Sequence, residues 1–268
     1  MARDLPRSAR VVIVGGGVIG CSVAYHLAKL GISDTVLLER RQLTCGTTWH
    51  AAGLVGQLRG SQRMTQLAKY TAELYQSLEA ETGQATGFKQ TGSISIATNE
   101  ARFEELKRNA SMAKIFDLQV DVITPEETKE RYPLINIEDV LGAVHIPSDG
   151  KANPVDVTQA LAKGARAAGA MIFEDTKVTA IKHDGERVTG VETEAGEIKA
   201  DAVVAEALML APGADVHMLE TVGELDGRPI SVGSHYFPAE RFPDLDEVHD
   251  REGSITRTLT HYGCGDYE

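Results

Sequence analysis

Three glycines, one acid and one histidine stand at spacings that suit a phosphate-bearing cofactor. Gly15, Gly17 and Gly20 in GGGVIG fit the pattern G-x-G-x-x-G. The first allows a tight turn, the second lets a diphosphate approach the backbone, and the third permits close packing of helix on strand. A helix starting here also offers free N–H groups and partial positive charge to phosphate. Glu39 follows nineteen residues after Gly20, where a carboxylate takes ribose hydroxyls and repels a 2′-phosphate, so NADP is disfavoured. Arg40 softens that repulsion without reversing it. The stretch Arg40–Gly53, RRQLTCGTTWHAAG, then carries Thr47, Thr48, Trp49 and His50. The two hydroxyls can bond diphosphate or ribityl oxygens, and a neutral imidazole is a good nucleophile. These residues leave open whether the dinucleotide is NAD or FAD.

The elements that must hold these groups follow from pattern. Arg10–Val14, RVVIV, reads as a strand covered on both faces. From Val18, apolar residues recur at helical spacing at Ile19, Val23, Leu27 and Leu30, and Gly31 stops the helix. Thr35–Leu38 is a second buried strand, which completes a right-handed βαβ unit of Rossmann type. Leu67, Leu74 and Leu78 mark a helix between Met64 and Glu81, ended at Gly83, and Gly92–Thr98 alternates like a half-buried strand. Asn99 caps a helix running to about Phe116, Thr124–Glu127 is a capping box with proline at its first helical position, and Asn153-Pro154 opens a further helix. Three short strands are expected next, MIFED, TKVTAI and RVTGVETE, forming a β-meander that returns to the parallel sheet at Ala202–Ala205. Beyond Glu206 periodicity fades.

Composition narrows the function. The 268 residues are 42% hydrophobic and 25% charged, enough for a real core. A net charge of −12 argues against nucleic acid and anionic lipid as partners. No apolar run approaches the ~20 residues of a membrane helix, and no secretory signal precedes the first strand, so a cytoplasmic protein is expected. Cys21, Cys45 and Cys264 are too scattered for a zinc site and too few for a disulfide framework, so no metal site is expected.

GGGVIG, LLERRQLTCGTTWHAAGL, GFKQTGSISIAT and the D-G-x-x-x-P of Asp149–Pro154, in that order, resemble the FAD-dependent dimethylglycine and sarcosine dehydrogenases, within the D-amino-acid-oxidase-like flavoproteins. The likeness runs from about Val11 to Ala205. It implies an α/β fold: a Rossmann-like FAD-binding domain with parallel sheet and β-meander, plus part of an α+β substrate domain. The segments expected are 1–90 and 151–212 for the FAD-binding domain, with 91–150 and 213–268 for the substrate domain. The resemblance implies oxidation of the N-methyl group of dimethylglycine or sarcosine to an iminium, with release of formaldehyde. In that family the histidine of TWHAAG carries FAD covalently, which maps onto His50; a flavin 8α-methyl group that has lost a proton is electrophilic toward such an imidazole. The cofactor residues implied are Gly15, Gly17, Val18, Ile19, Gly20, Glu39, Arg40, the loop Gly46, Thr47, Thr48, Trp49, His50, Ala51, Ala52, Gly53 and Leu54, and Val178 through its backbone at the adenine. His235 in SHYF is implied as a catalytic or substrate-orienting residue.

Departures from the family pattern give competing expectations. Leu208 stands where the family has a glycine beside the nucleotide, and Ile255-Thr256 replaces a Tyr-Tyr pair. The family's catalytic domain continues past this point, so C-terminal truncation is expected, with an exposed sheet edge favouring an oligomer or a complementing chain. A non-catalytic FAD-binding or regulatory paralogue, or an inactive fragment, is the alternative; an NAD-linked dehydrogenase does not account for the TWHAAG loop. For a processed eukaryotic chain the mitochondrial matrix replaces the cytoplasm. The electron acceptor is not readable from these residues.

Overall fold

A computed structural model describes residues 4–184, 187–205, 216–225, 228–238, 242–252, 257–258 and 261–262, with 216–225 and 228–238 described by backbone alone. In chain order the elements are β1 (Ser8–Val14), α1 (Val18–Lys29), β2 (Thr35–Leu38), β3 (Leu54–Val55), α2 (Gln62–Thr82), β4 (Ser93–Ala97), α3 (Glu100–Ala113) and β5 (Asp121–Ile123). They continue with α4 (Pro125–Arg131), β6 (Gly142–Ile146), β7 (Gly150–Lys151), α5 (Pro154–Ala167), β8 (Met171–Phe173), β9 (Val178–His183), β10 (Val188–Thr193) and β11 (Gly196–Ala205). The chain divides into two compact units, Met1–Ala205 and Glu206–Glu268. The second holds an antiparallel hairpin of β12 (Val216–Leu225) and β13 (Arg228–Pro238), followed by α6 (Leu245–Glu252).

The main sheet of the first unit has the order β8-β2-β1-β11-β10-β9. Its first four strands are parallel and the last three form the antiparallel meander, so β11 pairs parallel with β1 and antiparallel with β10. The parallel half is the expected βαβ unit. One strand departs from expectation: MIFED, as β8, pairs parallel with β2 at the far edge and takes no part in the meander. The helical crossover through α5 carries the chain across the sheet, and Met171–Phe173 finds the unpaired edge of β2 before the chain turns back to β9.

Two apolar layers cover the sheet. On one face Val11, Ile13 and Leu37 pack under Cys21, Ala24 and Tyr25 of α1, Leu78 of α2 and Val157 and Leu161 of α5. On the other, Val12, Val36 and Leu38 pack with Val191 and Ile198 of the meander. The stripe of α1 read from the sequence is not the one that meets the sheet. Cys21, Ala24, Tyr25 and Ala28 are buried, whereas Ile19 and Leu30 are exposed and Val23 and Leu27 half-buried. Small side chains let a helix lie close on a parallel sheet, and the bulkier stripe turns instead toward α2, lining a groove of about 650 Å³ with Leu67, Tyr70 and Leu74.

A separate three-stranded antiparallel sheet, β4-β6-β5, packs against α3 through Ala97, Val144, Leu106 and Ala110. The expected caps are present. Asn99 accepts from the Arg102 amide, Thr124 and Glu127 form the reciprocal capping box, and Asn153 accepts from the Val155 and Asp156 amides. Among the described residues, no helix is long and apolar enough to cross a membrane.

Candidate functional site

The glycine turn joins β1 to α1 and is shaped by contacts that only glycine tolerates. Gly15 has φ +111°, a backbone conformation that side chains avoid. A Cβ on Gly20 would lie 2.0 Å from the Gly15 carbonyl oxygen, so the first turn of α1 and the turn before it are in direct backbone contact. The Cys21 amide donates to the Gly17 carbonyl. The earlier amides of α1 therefore lack intrahelical acceptors. Gly17, the N-cap, brings no side chain to them.

Glu39, at the end of β2, is buried beneath this turn. One oxygen, Oε2, accepts from the Gly16 amide at 2.7 Å. The other, Oε1, accepts from the Arg41 amide at 3.0 Å and from the Cys45 thiol at 3.5 Å. Each carboxylate oxygen has two lone pairs, so Oε2 retains one while Oε1 is saturated within the chain. Arg40 is exposed. The Thr176 amide donates to the Glu39 carbonyl at 2.8 Å, which brings the approach to β9 alongside, two residues before Val178. Val178 itself opens β9 opposite Thr193.

Beyond the Glu39 carboxylate, the loop that runs on to Gly53 is tied to the glycine turn and the start of α1 at two further points. The Thr44 amide donates to the Gly16 carbonyl at 3.0 Å, with Thr44 held at φ +72°. The Val18 amide donates to Thr48 Oγ1 at 3.0 Å, and Thr48 is buried. A single 3₁₀ turn, Thr48–His50, follows, closed by the His50 amide donating to the Thr47 carbonyl. At its end the Trp49 and His50 rings lie 3.8 Å apart between centroids, tilted by 35°. Both are exposed, as are Gly46, Thr47, Ala51 and Ala52, and a Cβ at Gly46 would meet nothing. Gly53 accepts from the Ala152 amide and passes the chain to Leu54.

Leu54 stands at the edge of a cleft of about 670 Å³ that β3, β4, β7 and α3 enclose. Apolar Ile94, Leu106 and Val144 share its lining with Arg59, Glu105 and Lys151. Asp149 holds this corner together. Its buried carboxylate accepts from the Gln57 amide at 2.9 Å, the Gln57 side chain at 3.2 Å and the Ser93 hydroxyl at 2.6 Å.

Sequence reasoning placed Glu39, the Arg40–Gly53 stretch and the glycines together, and they are together. It missed Thr44, Gln57, Ser93 and Arg59, whose contribution comes from contacts that no spacing announces; Asp149 was quoted only as part of a motif. Thr48, expected at cofactor oxygens, accepts from the Val18 amide of α1 through its hydroxyl oxygen. His235 lies in β13 opposite Leu219, and its side chain is outside the described residues, as are Leu208, Ile255 and Thr256. The two described cysteines are both biased toward the thiol form. Burial pushes the Cys21 thiol up to about 12, and desolvation followed by the Glu39 charge raises that of Cys45.

Replacing Glu39 with glutamine tests this anchor. The carboxamide can accept at only one end, so its NH₂ meets either the Gly16 or the Arg41 amide, and a buried donor is left without an acceptor at roughly 1–3 kcal/mol. The Tm of the cofactor-free protein is expected to fall by several degrees, read by circular dichroism. An unchanged Tm would show that the two amides do not depend on Glu39.

The family description "FAD dependent oxidoreductase" matches residues 10–262. Human mitochondrial sarcosine dehydrogenase is 44% identical over 209 residues, covering 76% of this chain and 23% of that protein. Human mitochondrial dimethylglycine dehydrogenase is 41% identical over 196 residues, covering 73% of this chain and 23% of that protein. The mouse mitochondrial pyruvate dehydrogenase phosphatase regulatory subunit is 42% identical over 195 residues, covering 73% and 22%. The chain thus spans about a quarter of the length of these relatives. Among solved structures, L-proline dehydrogenase from P. horikoshii superposes with a TM-score of 0.72 at 32% identity, covering 76% of this chain and 54% of that one.

Proposed function

This chain belongs to the FAD dependent oxidoreductase family, and from that premise we propose that it oxidises the N-methyl group of a small amino acid, sarcosine or dimethylglycine, to an iminium. Water then adds to the iminium carbon and formaldehyde leaves. FAD, when bound, supplies the acceptor for the hydride that departs from the methyl carbon.

One observation carries this reading. Ile19 at the glycine turn, Trp49 beside His50, and Leu54 at the cleft are large apolar side chains exposed by 55%, 57% and 81%. We run the extended dinucleotide from α1 along the loop to the cleft, where it would cover these three side chains. The first-turn amides of α1 and the remaining lone pair of Glu39 Oε2 suit its diphosphate and ribose. Val178 and Arg40 we assign to the adenosine end, and Gly46, Thr47, Ala51 and Ala52 to the open wall of the loop. The cleft is assigned to the amine, with its apolar lining toward the N-methyl group; His235 is kept as the catalytic residue that the family resemblance implies.

We further assign His50 as the point of covalent attachment. The imidazole nitrogen forms a bond to the 8α-carbon of the flavin. One hydrogen leaves the methyl group and one leaves the ring N–H, and dioxygen takes up both with their two electrons as hydrogen peroxide. The link draws electron density from the flavin and makes it a stronger oxidant toward an N-methyl carbon. The mitochondrial location in the relatives' names supports the matrix for a eukaryotic chain.

Anaerobic mixing of the FAD-loaded protein with sarcosine or dimethylglycine tests the activity. Bleaching of the flavin with formaldehyde as product is expected. A bound flavin that neither amine bleaches would favour the second reading, a non-catalytic FAD-binding subunit, to which the similarity with a phosphatase regulatory subunit lends support.

A further inference from the structure

We propose that Thr48 is a positioning residue that couples the N-terminus of α1 to the delivery of His50 toward the flavin; this rests on the assignment of His50 above. The helix is left without a cap by its own N-cap residue, Gly17. The missing acceptor comes from thirty residues away, where Thr48 Oγ1 takes the Val18 amide at 3.0 Å in a buried position. A glycine at Gly17 keeps the backbone open to the diphosphate, and a hydroxyl from another segment satisfies the N1 amide of Val18 while leaving open the N2 and N3 amides that a serine or aspartate N-cap would have engaged.

The placement of this cap ties two functions together. Thr48 is the first residue of the 3₁₀ turn whose last residue is His50, and the Ala51 amide closes that turn on the Thr48 carbonyl. Trp49 stacks on His50 at the exposed end. The other ties between the loop and the glycine turn among the described residues lie earlier in the chain, the Gly16 amide on Glu39 Oε2 and the Thr44 amide on the Gly16 carbonyl, so the Thr48 bond is the one nearest the histidine turn and sets where it starts. Among the described residues the Thr48 hydroxyl has no acceptor for its own hydrogen. A hydroxyl can accept and donate at once, so that hydrogen is left for a diphosphate oxygen arriving at the same first turn of α1. Binding of the diphosphate and alignment of the imidazole then share one atom, Thr48 Oγ1. Attachment is favoured when the reacting atoms are held near contact distance, and small misplacements lower such rates steeply.

The test compares Thr48→Val, which keeps the side-chain shape and removes the hydroxyl, with Thr48→Ser, which keeps the hydroxyl. Cofactor-free protein is mixed with saturating FAD in air, and the rate of formation of acid-stable flavin is followed. Thr48→Val is expected to slow attachment at least tenfold, and Thr48→Ser to restore it to within about twofold. In a His50→Ala background, Thr48→Val should weaken dissociable FAD binding about fivefold, the effect of losing one hydrogen bond to the diphosphate of typical net strength. Attachment by Thr48→Val at the wild-type rate, or slow attachment that serine fails to rescue, overturns the proposal. If the wild-type protein itself forms no acid-stable flavin, the His50 assignment has failed. The His50→Ala pair then decides Thr48 alone: unchanged FAD affinity refutes its role, and weakened affinity retains it for the diphosphate only. Should Thr48→Val not fold, Thr48→Cys, a small side chain whose thiol is a weak acceptor, carries the same expectations.

Discussion

His50→Ala protein, denatured in acid, releases all of its flavin into solution, whereas the wild-type polypeptide keeps it. The expectation is a complete loss of acid-stable flavin, because the imidazole is the only nucleophile at the end of the loop: Cys45 is held as a thiol against Glu39, and the two threonine hydroxyls are far weaker nucleophiles. The loss should come without unfolding. His50 is exposed and its side chain touches only the Trp49 ring among the contacts described, and surface substitutions of that kind usually stay within about 0.5 kcal/mol. The variant should therefore melt within about 2 °C of the wild type and still bind FAD through the glycine turn and Glu39. Its flavin, lacking the electron-withdrawing link, should also be reduced more slowly by the amine. An acid-stable adduct that survives in His50→Ala places the attachment elsewhere.

The second large effect is expected at Gly20→Ala, where one methyl group meets the backbone of the cofactor turn. The new Cβ falls 2.0 Å from the Gly15 oxygen and 3.1 Å from its carbonyl carbon, and neither atom belongs to a side chain that could swing away. Either α1 moves off β1 or the turn opens. The first breaks the packing of Cys21, Ala24 and Tyr25 over Ile13 and Leu37. The second moves the Gly16 amide away from Glu39 and the Gly16 carbonyl away from Thr44. Both displace the amides that face the diphosphate. A destabilisation of about 3–5 kcal/mol is expected, a fall in Tm of the order of 10 °C, together with loss of measurable FAD binding. Thermal unfolding and flavin content of the purified variant check this, and a Gly20→Ala protein with normal Tm and full flavin would mean that helix and turn are not in contact.

Much of the scaffold was legible because its signals are local. The run Arg10–Val14, the glycines, and Thr35–Leu38 ending in Glu39 announce strand, turn, helix and strand within thirty residues, and the caps at Asn99, Thr124 and Asn153 act over two or three residues. Local signals were ambiguous wherever two patterns coexisted. Helix α1 carries a bulky stripe through Ile19, Val23, Leu27 and Leu30 and a small-residue stripe through Cys21, Ala24 and Ala28. Hydrophobicity favours the first, but the sheet accepts the second, because distance of approach rather than side-chain size decides which face fits a parallel sheet.

From its residues alone the chain determined that a dinucleotide turn would form, which acid would lie beneath it, and which loop would carry the histidine, since each depends on neighbours close in sequence. Tertiary structure decided the partners. It set β8 on the edge of β2 and closed the meander over the other face. It saturated one oxygen of Glu39 with Arg41 and Cys45, and it capped α1 with Thr48. Those choices join residues far apart in the chain, 135 positions for Val36 beside Met171, and a hydrogen-bond donor at a helix start needs an acceptor nearby in space whatever its place along the chain.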